Sequence, residues 1–211
     1  MAGTTRLPFI PYDELRIIVA DYMDKCGINK DIPIDVEFLL DNAYQINIIP
    51  FPSLFKGFGI NAFMSNDFSK MYVDEYLYSN LEPQYRFTIA HELGHMILHT
   101  EWYRQFRIEN IASYLEYLSG VREEDYRILE TQASNFAGLF LVPPEQLAIK
   151  FKEKAREIVR YVQSEFKGIR RDKYLNMVVE IAAQKLSRDF NVHHSPIMIR
   201  IERDKLTDFI P

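Results

Sequence analysis

Apolar residues recur at helical spacing along most of the chain and alternate with polar ones in one short stretch. A first helix is predicted over residues 13–26, where apolar side chains lie about one turn apart and Gly27 marks the stop. The apolar residues of this helix are Leu15, Ile18, Val19 and Met23. A second short helix is predicted over 35–44, with Asp35 as the N-cap that accepts backbone N–H groups.

The stretch that follows predicts a small sheet. Three strands are expected over 46–51, 59–65 and 70–74, the last two joined by a turn at 66–69. From Glu82 onward the spacing is helical again, and helices are predicted over 83–99, 108–118, 123–141, 144–166 and 173–190. This order of elements predicts an α+β fold that is mainly helical, with a three-stranded sheet beside the helix over 83–99.

Two prolines divide the chain. Pro143 and Pro144 separate a predicted core, residues 1–145, from a predicted helical C-terminal subdomain, residues 146–211. Residues 173–205 have the cadence of a helix, a turn and a second helix, which admits a DNA-reading element. A subdomain that supports the core or docks a substrate is favoured, because no cluster of base-reading side chains stands out.

Composition and charge limit the classes of protein. The 211 residues are 47% hydrophobic and 26% charged, which is typical of a soluble globular protein and excludes a disordered or collagen-like chain. The single cysteine, Cys26, excludes an internal disulfide. The net charge is -5, yet residues 150–205 hold 14 Lys or Arg against 8 Asp or Glu. That excess admits a nucleic-acid contact, although a solvated helix face has the same composition.

The N-terminal residues bear on the location of the protein. Residues 1–11 contain prolines where an export signal needs an uninterrupted apolar stretch, and the acids Asp13 and Glu14 follow. No apolar run approaches the roughly 18 residues that a membrane span requires. We therefore expect a cytoplasmic protein with no membrane partner.

Two short patterns resemble sites but are set aside. Residues 57–62 match the dinucleotide-binding pattern G-x-G-x-x-A, but that pattern needs a following helix, and a strand is predicted here instead. Gly57 and Gly59 are expected to allow a turn and a bend. His193 and His194 are adjacent, so their side chains diverge and a turn is favoured over a second metal site.

The segment 86–99, RFTIAHELGHMILH, carries the chemistry. His91 and His95 lie four residues apart, so in a helix their imidazoles project from one face and can reach a single cation. Glu92 lies about 100° around the helix from His91, where its carboxylate can face the open side of a metal and accept a proton from water. The segment therefore predicts a metal site with a general base beside it.

Glu130, 35 residues after His95, is the candidate third ligand. It is followed at helical spacing by a stripe of small residues, which lets two helices approach closely and brings the carboxylate to the cation. The small residues are Ala133, Ser134, Ala137 and Gly138. Taken singly, each of these polar residues is commoner as a hydrogen-bonded core histidine or a solvated acid. Together, at ligand spacing in apolar helices, they favour a metal site.

Two imidazoles, one carboxylate and an open position suit catalytic zinc, and manganese is admissible in a site of this composition. Such a metal polarises a peptide carbonyl and activates water, while Glu92 takes the proton and passes it to the leaving amine. A hydrogen-bond donor must also stabilise the oxyanion. Tyr72 and His99 are candidates, but each has a structural interpretation as well, as a strand aromatic and as a residue that packs or caps the helix end.

At these residues the chain resembles the ImmA/IrrE metallopeptidases. The similarity spans residues 30–200, and the similar segments are 86–99, 130–143 (ETQASNFAGLFLVP), the strand 71–74 and residues 186–192. The resemblance implies a gluzincin-like α+β fold with a catalytic zinc. It also implies a regulatory role, since members of the family typically cleave a helix-turn-helix repressor and so release genes of mobile elements or stress responses.

The resemblance assigns roles to four residues and leaves two departures. It implies that His91, His95 and Glu130 are the metal ligands and that Glu92 is catalytic. Ser134 stands where the family usually has Asn. The segment 101–129 is longer than in the family as a rule and predicts an extra amphipathic helix near the cleft. Three roles are open to that helix: it gates access, binds a partner or only packs. The apolar residues of that helix are Ile108, Ile111, Leu115 and Leu118.

The leading hypothesis is a cytoplasmic zinc-dependent endopeptidase that hydrolyses a protein substrate, with a helix-turn-helix repressor as the expected partner. One rival is a DNA-binding or partner-binding regulator with a structural metal, which would contact DNA through residues 150–205. The other rival is a toxin-like member of an operon pair. Loss of folding on removal of the metal marks the first rival, and growth arrest on expression marks the second.

Overall fold

The computed structural model describes residue 7 and residues 9–28 and 31–210. The expectation that residues 1–11 carry no export signal falls in part on residues 1–6 and 8, which lie outside the described residues. None of the described helices is both long enough and apolar enough to cross a membrane.

The described residues fall into two compact units. The first takes in the residues up to Gly27 together with Asp35–Ala137. The second takes in Ile28–Ile34 and the residues from Gly138 onward. The α+β architecture that the sequence predicts is confirmed, because many helices accompany one small mixed sheet.

The first unit opens with the two helices that the apolar spacing predicts. Helix α1 spans Tyr12–Lys25, and Gly27 follows it with a φ of 60°, a conformation that glycine adopts without steric cost. Helix α2 spans Val36–Asn42. As predicted, Asp35 is its N-cap, and the carboxylate accepts the backbone N–H of Phe38 at 3.0 Å.

The sheet has three short strands, β1 (Asn47–Phe51), β2 (Ala62–Met64) and β3 (Lys70–Asp74), in the order β1-β3-β2. Strand β1 runs parallel to β3, and β2 runs antiparallel to it. Strand β2 is shorter than predicted, because Gly59 ends a helix instead of opening the strand.

Two short helices in this region were not predicted: α3 (Leu54–Phe58) and α4 (Glu75–Asn80). Both are held by Asp74, whose carboxylate accepts the backbone N–H of Phe55 at 2.9 Å and that of Leu77 at 3.1 Å. Gly57 lies inside α3 and the next element is a strand, so the context of a dinucleotide site is absent from this stretch, as expected.

Three helices complete the first unit or run out of it: α5 (Glu82–Tyr103), α6 (Ile111–Gly120) and α7 (Glu123–Leu141). Helix α5 packs against α2, α4 and β2, so the sheet lies beside the helix that carries the two histidines, as predicted. Helix α5 continues past its predicted end, and its backbone departs from helical angles at His99 (φ -124°, ψ 18°).

Helix α6 lies in the predicted extra segment, and its packed face adds aromatic residues to part of the predicted aliphatic set. Ile108 is buried just before the helix, and Ile111 and Leu118 are half-buried against the same apolar cluster. The buried residues of α6 are Tyr114 and Tyr117, whereas Leu115 is 36% exposed. The ring of Tyr114 stacks on Phe63 of β2 at 4.7 Å between centroids. The helix begins later than predicted, because the side chain of Asn110 caps the backbone N–H groups of Ala112 and Ser113. Aromatic stacking on Phe63, together with Ile111 and Leu118 in the same apolar cluster, attaches α6 to the sheet.

Helices α5 and α7 approach closely at Gly94. A Cβ added to Gly94 would lie 3.1 Å from the Cα and the carbonyl oxygen of Ala133 and 3.1 Å from the Cβ of Phe136. The small stripe predicted on α7 is therefore used at Ala133, and the glycine that completes the contact is on α5. Gly138, the last residue of the predicted stripe, has open space where a Cβ would lie.

The second unit contains the helices α8 (Pro144–Glu165), α9 (Arg171–Phe190) and α10 (His194–Arg203) and a 3-10 helix, Leu206–Phe209. Helix α9 ends at Asn191, which has a left-handed conformation, and His193 caps α10. The predicted helix, turn and helix are confirmed, with the turn at Asn191 and Val192. The turn expected at His193 and His194 is wrong, because His194 is the first residue of α10, and the two rings lie 4.1 Å apart between centroids instead of diverging.

A buried arginine closes the C-terminal end of α7. Arg200 is 2% exposed and donates hydrogen bonds to the carbonyl oxygens of Gly138 at 2.8 Å and Val142 at 2.6 Å. Its guanidinium also pairs with Asp204 at 2.7 Å. The carbonyl oxygen of Gly138, which already accepts the backbone N–H of Val142, gains a second donor, and the carbonyl oxygen of Val142, just beyond the end of α7, accepts from a side chain.

The close approach at Gly94 predicts opposite outcomes for the same substitution at two glycines. Alanine is favoured over glycine in a helix interior by about 0.5–1 kcal/mol, and Gly138 has room for the methyl group, so Gly138→Ala should raise the free energy of unfolding by that amount. Gly94→Ala should lower it by about 1 kcal/mol, since overpacking costs about 1–3 kcal/mol and exceeds the helix gain. Urea unfolding measures both, and equal stabilisation by the two variants would contradict the close approach.

Candidate metal centre

Helix α5 presents His91, Glu92 and His95 to one region. His95 and Glu92 are buried, and the side chain of His91 is 15% exposed. The Nε2 atoms of His91 and His95 lie 3.0 Å apart. As the four-residue spacing predicts, the two imidazoles project from one side of the helix and converge.

Helix α7 brings Glu130 to the same point. Its Oε2 lies 3.3 Å from the Nε2 of His91, and its Oε1 lies 3.4 Å from the Nε2 of His95. Two nitrogens and one carboxylate from helices far apart in sequence therefore meet. The structure brings together all four residues that the sequence singled out.

The donor atoms fit a tetrahedral zinc ion. Two donors bound at 2.0–2.1 Å in tetrahedral geometry lie about 3.3 Å apart. The contacts among His91, His95 and Glu130 are 3.0, 3.3 and 3.4 Å. Imidazole nitrogen and carboxylate oxygen are the donors of catalytic zinc sites, so the residues fit that metal in type as well as in spacing.

Glu92 is an alternative third ligand. His91, Glu92 and His95 each offer a donor atom within 4.8 Å of the others. Glu130 suits the role better, because its two oxygens contact the Nε2 atoms of both histidines, and this leaves Glu92 beside the group as a base. The assignment of His91, His95 and Glu130 as ligands stays a prediction.

Each histidine has a hydrogen-bonding partner on the ring nitrogen that faces away from Glu130. The Oγ of Ser134 lies 3.2 Å from the Nδ1 of His91. The Nδ1 of His95 lies 3.1 Å from the Nδ1 of His99, and the Nε2 of His99 lies 2.8 Å from the Oε1 of Gln132. Such partners orient the ring of a metal-binding histidine.

Burial dominates the electrostatics of the group. It raises the pKa of Glu92 to about 7, with a further rise from the charge of Glu130 and an opposing effect from His91. Burial also lowers the pKa of His95 to about 4 and that of His99 to about 3. The buried imidazoles of His95 and His99 are therefore neutral near pH 7.

The ion pair between His91 and Glu130 shifts the pKa of each partner against the effect of burial. Although burial works to lower it, the pKa of His91 is held above its ordinary value by Glu130 and by the charge of Glu92. Although burial works to raise it, the pKa of Glu130 is held well below its ordinary value by the two imidazoles. Glu130 is therefore a carboxylate, as a metal ligand must be.

A cleft of about 330 Å³ opens onto these residues. One part of its lining is the chain that leads into β2, which includes Gly59 and Asn61. The rest comes from α5, α6 and α7, which contribute the residues Phe87, Thr88, His91, Glu92, Tyr114, Leu118, Tyr126, Glu130 and Ser134. The extra helix α6 is thus near the cleft, as expected, and packs as one of its walls.

The side chains suggested from sequence as oxyanion donors are engaged elsewhere. The hydroxyl of Tyr72 donates to the carbonyl oxygen of Glu109 at 3.3 Å, and both ring nitrogens of His99 face His95 and Gln132. Tyr126 instead lines the cleft and is 40% exposed. It was missed, although it lies four residues before Glu130 and therefore on the same face of α7.

Comparisons with known proteins identify a family. The sequence model of the family Peptidase_M78, described as the IrrE N-terminal-like domain, matches residues 76–187, more than half of the chain. This range contains all four predicted site residues. A comparison with curated proteins finds no match.

A solved structure described as a Mycobacterium tuberculosis transcriptional regulator aligns with the chain at 14% identity and a TM-score of 0.49. The alignment covers 87% of this chain and 45% of that one, so the chain spans less than half of that protein. At this TM-score the likeness supports no conclusion about the chain.

The contacts of Glu130 predict that its removal abolishes metal binding. Glu130→Ala takes away one of three converging donors, and we expect the dissociation constant for Zn²⁺ to rise by more than about 100-fold, the upper range for changes outside the ligand set. Competition with a chromophoric chelator measures it. Glu124→Ala removes an exposed carboxylate from the same helix and should bind as the unaltered chain does. Equal affinity of the two variants would show that Glu130 is not a ligand.

Proposed function

Because the chain belongs to the Peptidase_M78 family of IrrE N-terminal-like domains, we propose that it is a zinc-dependent endopeptidase that cleaves a protein substrate. The observation that carries the proposal is the convergence of His91, His95 and Glu130 at the edge of an open cleft, with a buried carboxylate beside them. A structural zinc is usually enclosed by four protein ligands, whereas a catalytic one keeps an open position.

His91, His95 and Glu130 hold the metal in this proposal. Zinc held by these residues would supply Lewis-acid chemistry, polarising the substrate carbonyl and lowering the pKa of a water molecule towards neutrality. The same donors also accept manganese. Ser134 supports the site by accepting the Nδ1 proton of His91, which leaves the Nε2 lone pair available.

Glu92 is the general base and acid. Its carboxylate lines the cleft next to His91, and burial raises its pKa to about 7, which suits a group that must take up and return a proton near neutral pH. It takes one proton from the attacking water and gives it to the amine that leaves when the peptide C–N bond breaks. Water is consumed, and one carboxyl and one amino terminus are formed.

Tyr126 is the proposed donor to the oxyanion. Its ring lines the cleft one helical turn from Glu130, and its 40% exposure leaves the hydroxyl within reach of a bound substrate. Burial of the ring, together with the charges of Glu130 and Glu92, raises the pKa of Tyr126. The hydroxyl therefore keeps its proton and can donate a hydrogen bond. A donor of this kind stabilises the charge that develops on the carbonyl oxygen.

The proposed substrate is a helix-turn-helix repressor, whose cleavage in the cytoplasm would release the genes it controls. Support comes from the resemblance to the ImmA/IrrE proteins. A regulator with only a structural metal would carry the same residues but gives no reason for the metal group to open onto a cleft. A toxin-like peptidase would share the cleft, and the growth test below separates it. Several cations of the second unit are already paired with acids, as Lys154 is with Asp189 at 2.7 Å and Lys185 with Glu157 at 3.1 Å. These pairs leave less positive charge for DNA.

The role of Glu92 predicts that a single amide substitution separates binding from chemistry. Glu92→Gln should retain Zn²⁺ and the fold, because Glu92 is outside the proposed ligand set, and should cleave its substrate at least about 100-fold more slowly, since general acid–base catalysis contributes that much or more. Capture of co-purifying proteins by this variant in the native cell, followed by mass spectrometry, identifies the substrate. Glu130→Ala, which loses the metal, is the matched control.

The outcomes separate the proposed function from its rivals. A repressor enriched on Glu92→Gln, and cleaved by the unaltered protein after purification, supports regulated proteolysis. Full activity of Glu92→Gln would overturn the mechanism. DNA or an uncleaved partner recovered equally with both variants would favour the regulator, and growth arrest that Glu92→Gln relieves without any cleaved repressor would favour the toxin.

The position of Tyr126 predicts a change in rate alone. Tyr126→Phe keeps the ring and removes only the hydroxyl, so we expect kcat to fall by about 100-fold to 1000-fold, the cost of removing one oxyanion donor. KM and the Zn²⁺ content should stay within a few-fold of those of the unaltered protein. Tyr76→Phe removes a phenol that is 66% exposed and lies outside the residues lining the cleft, and it serves as the control. An unchanged kcat for Tyr126→Phe would remove this residue from the mechanism.

A further inference from the structure

A buried chain of three side chains lies behind the proposed metal site. It runs from the amide of Gln132 to His99 and from His99 to His95, with contacts of 2.8 and 3.1 Å. Gln132, His95 and His99 are 2%, 2% and 3% exposed. His99 and Gln132 do not line the cleft, so neither contacts a substrate bound there. Their positions suggest that His99 and Gln132 act through His95.

The orientation of the Gln132 amide, whose Oε1 faces His99, sets the protons along this chain. The Oε1 of Gln132 is a carbonyl oxygen and only accepts, so the Nε2 of His99 must carry a proton and donate it. In a neutral imidazole the other nitrogen then carries a lone pair, so the Nδ1 of His99 accepts. The two Nδ1 atoms face each other and share one proton, which must belong to His95. The Nε2 of His95 is left with its lone pair.

The lone pair of His95 points at a place that only a cation or a proton can fill. Its Nε2 lies 3.4 Å from a carboxylate oxygen of Glu130 and 3.0 Å from the Nε2 of His91. Lone pairs that converged here without a positive charge would repel one another, so the place is filled by the proton that His91 shares with Glu130 or by a metal ion that displaces it. In the opposite tautomer, the proton on Nε2 would occupy the coordination position and block it.

We propose that His99 and Gln132 are positioning residues that hold His95 in the Nδ1-protonated tautomer, and so keep its Nε2 ready for the metal before the metal binds. The inference rests on the proposed function, since it assigns these residues to the same zinc site. It adds a buried relay, made of a histidine and a neutral amide, in the place where many zinc sites use a carboxylate or a backbone carbonyl.

The two proposed histidine ligands differ in this respect. The hydroxyl of Ser134 can either donate or accept a hydrogen bond, so it tolerates both tautomers of His91. The relay behind His95 permits only one. The protein therefore prepares His95 through its own hydrogen bonds, while His91, which is ion-paired with Glu130 at 3.3 Å, adopts the ligand form when the metal displaces its proton.

The first test reads the tautomer directly in the metal-free protein. The chain has five histidines, which single substitutions assign, and long-range ¹H–¹⁵N spectra distinguish a protonated from an unprotonated ring nitrogen. We expect His95 to show a protonated Nδ1 and an unprotonated Nε2 in the unaltered, metal-free full-length chain. A protonated Nε2 on His95 would overturn the proposal, whether or not the protein proves to be a peptidase.

The second test compares two substitutions of His99. His99→Gln keeps a carbonyl oxygen that can accept the Nδ1 proton of His95, whereas His99→Leu fills similar space and offers no acceptor. We expect His99→Leu to raise the dissociation constant for Zn²⁺ by about 10-fold to 100-fold, the range for partners of metal-binding histidines, and His99→Gln to restore most of it. Gln132→Leu should weaken binding in the same direction, and it provides an independent variant if His99→Leu does not fold.

The outcomes distinguish this inference from the proposed function. Equal Zn²⁺ affinity of His99→Leu and the unaltered chain, with both folded by circular dichroism, would overturn the relay while leaving the peptidase intact. A loss of affinity that His99→Gln fails to restore would indicate packing rather than an acceptor and would also overturn it. If the unaltered chain binds Zn²⁺ but cleaves no protein, the proposed function fails and the relay is still judged by its spectra.

Discussion

The missing side chain of Gly94 is the constraint on which the site depends. Because no Cβ separates them, the backbone of α5 at Gly94 and the backbone of α7 at Ala133 touch, and a methyl group there would lie 3.1 Å from main-chain atoms. This contact lies one residue before His95 on one helix and three residues after Glu130 on the other. With a larger separation the carboxylate would not reach the two imidazoles, and the proposed metal site would not form.

The close approach of α5 and α7 also explains how buried polar groups find partners. Removal of an ionised carboxylate or an imidazolium from water is costly unless a partner compensates it. Here Glu130 is shared by His91 and His95, and each histidine has a second partner on its other nitrogen. Glu92 is the exception: burial raises its pKa to about 7, and this group is the one that must exchange a proton in the proposed reaction.

Much of the fold could be predicted from the sequence, and the errors have physical causes. The long helices were predicted because apolar spacing over many residues reports a buried face directly. The short helix α3 was missed because the carboxylate of Asp74, 19 residues further along the chain, holds its first turn, a contact that local spacing does not encode. Helix α4 was missed although Asp74 is its N-cap, because its six residues are too few to show a helical period. The aliphatic residues Ile111 and Leu118 of α6 do pack against the core, but Tyr114 and Tyr117, the buried residues of the helix, were missed because their place depends on stacking with residues outside the helix.

At the candidate site, too, local sequence patterns predicted some residues, and contacts between helices determined the others. The motif placed His91, Glu92 and His95 on one helix, and the stripe of small residues pointed to Glu130. Gly94, Tyr126 and Gln132 were missed because their roles depend on what the partner helix brings opposite them.

The relay ends at the neutral amide of Gln132, and this neutrality affects the protonation of His99. Glu92 and Glu130 already place two carboxyl groups beside the two histidines, and a third negative charge buried at position 132 would raise the basicity of His99 and favour its imidazolium form. His99 would then donate from Nδ1, and the proton on His95 would be driven to Nε2, where it blocks the lone pair. A neutral acceptor holds the tautomer without that charge. Gln132 therefore suits the position because it supplies a carbonyl oxygen and also because it carries no negative charge.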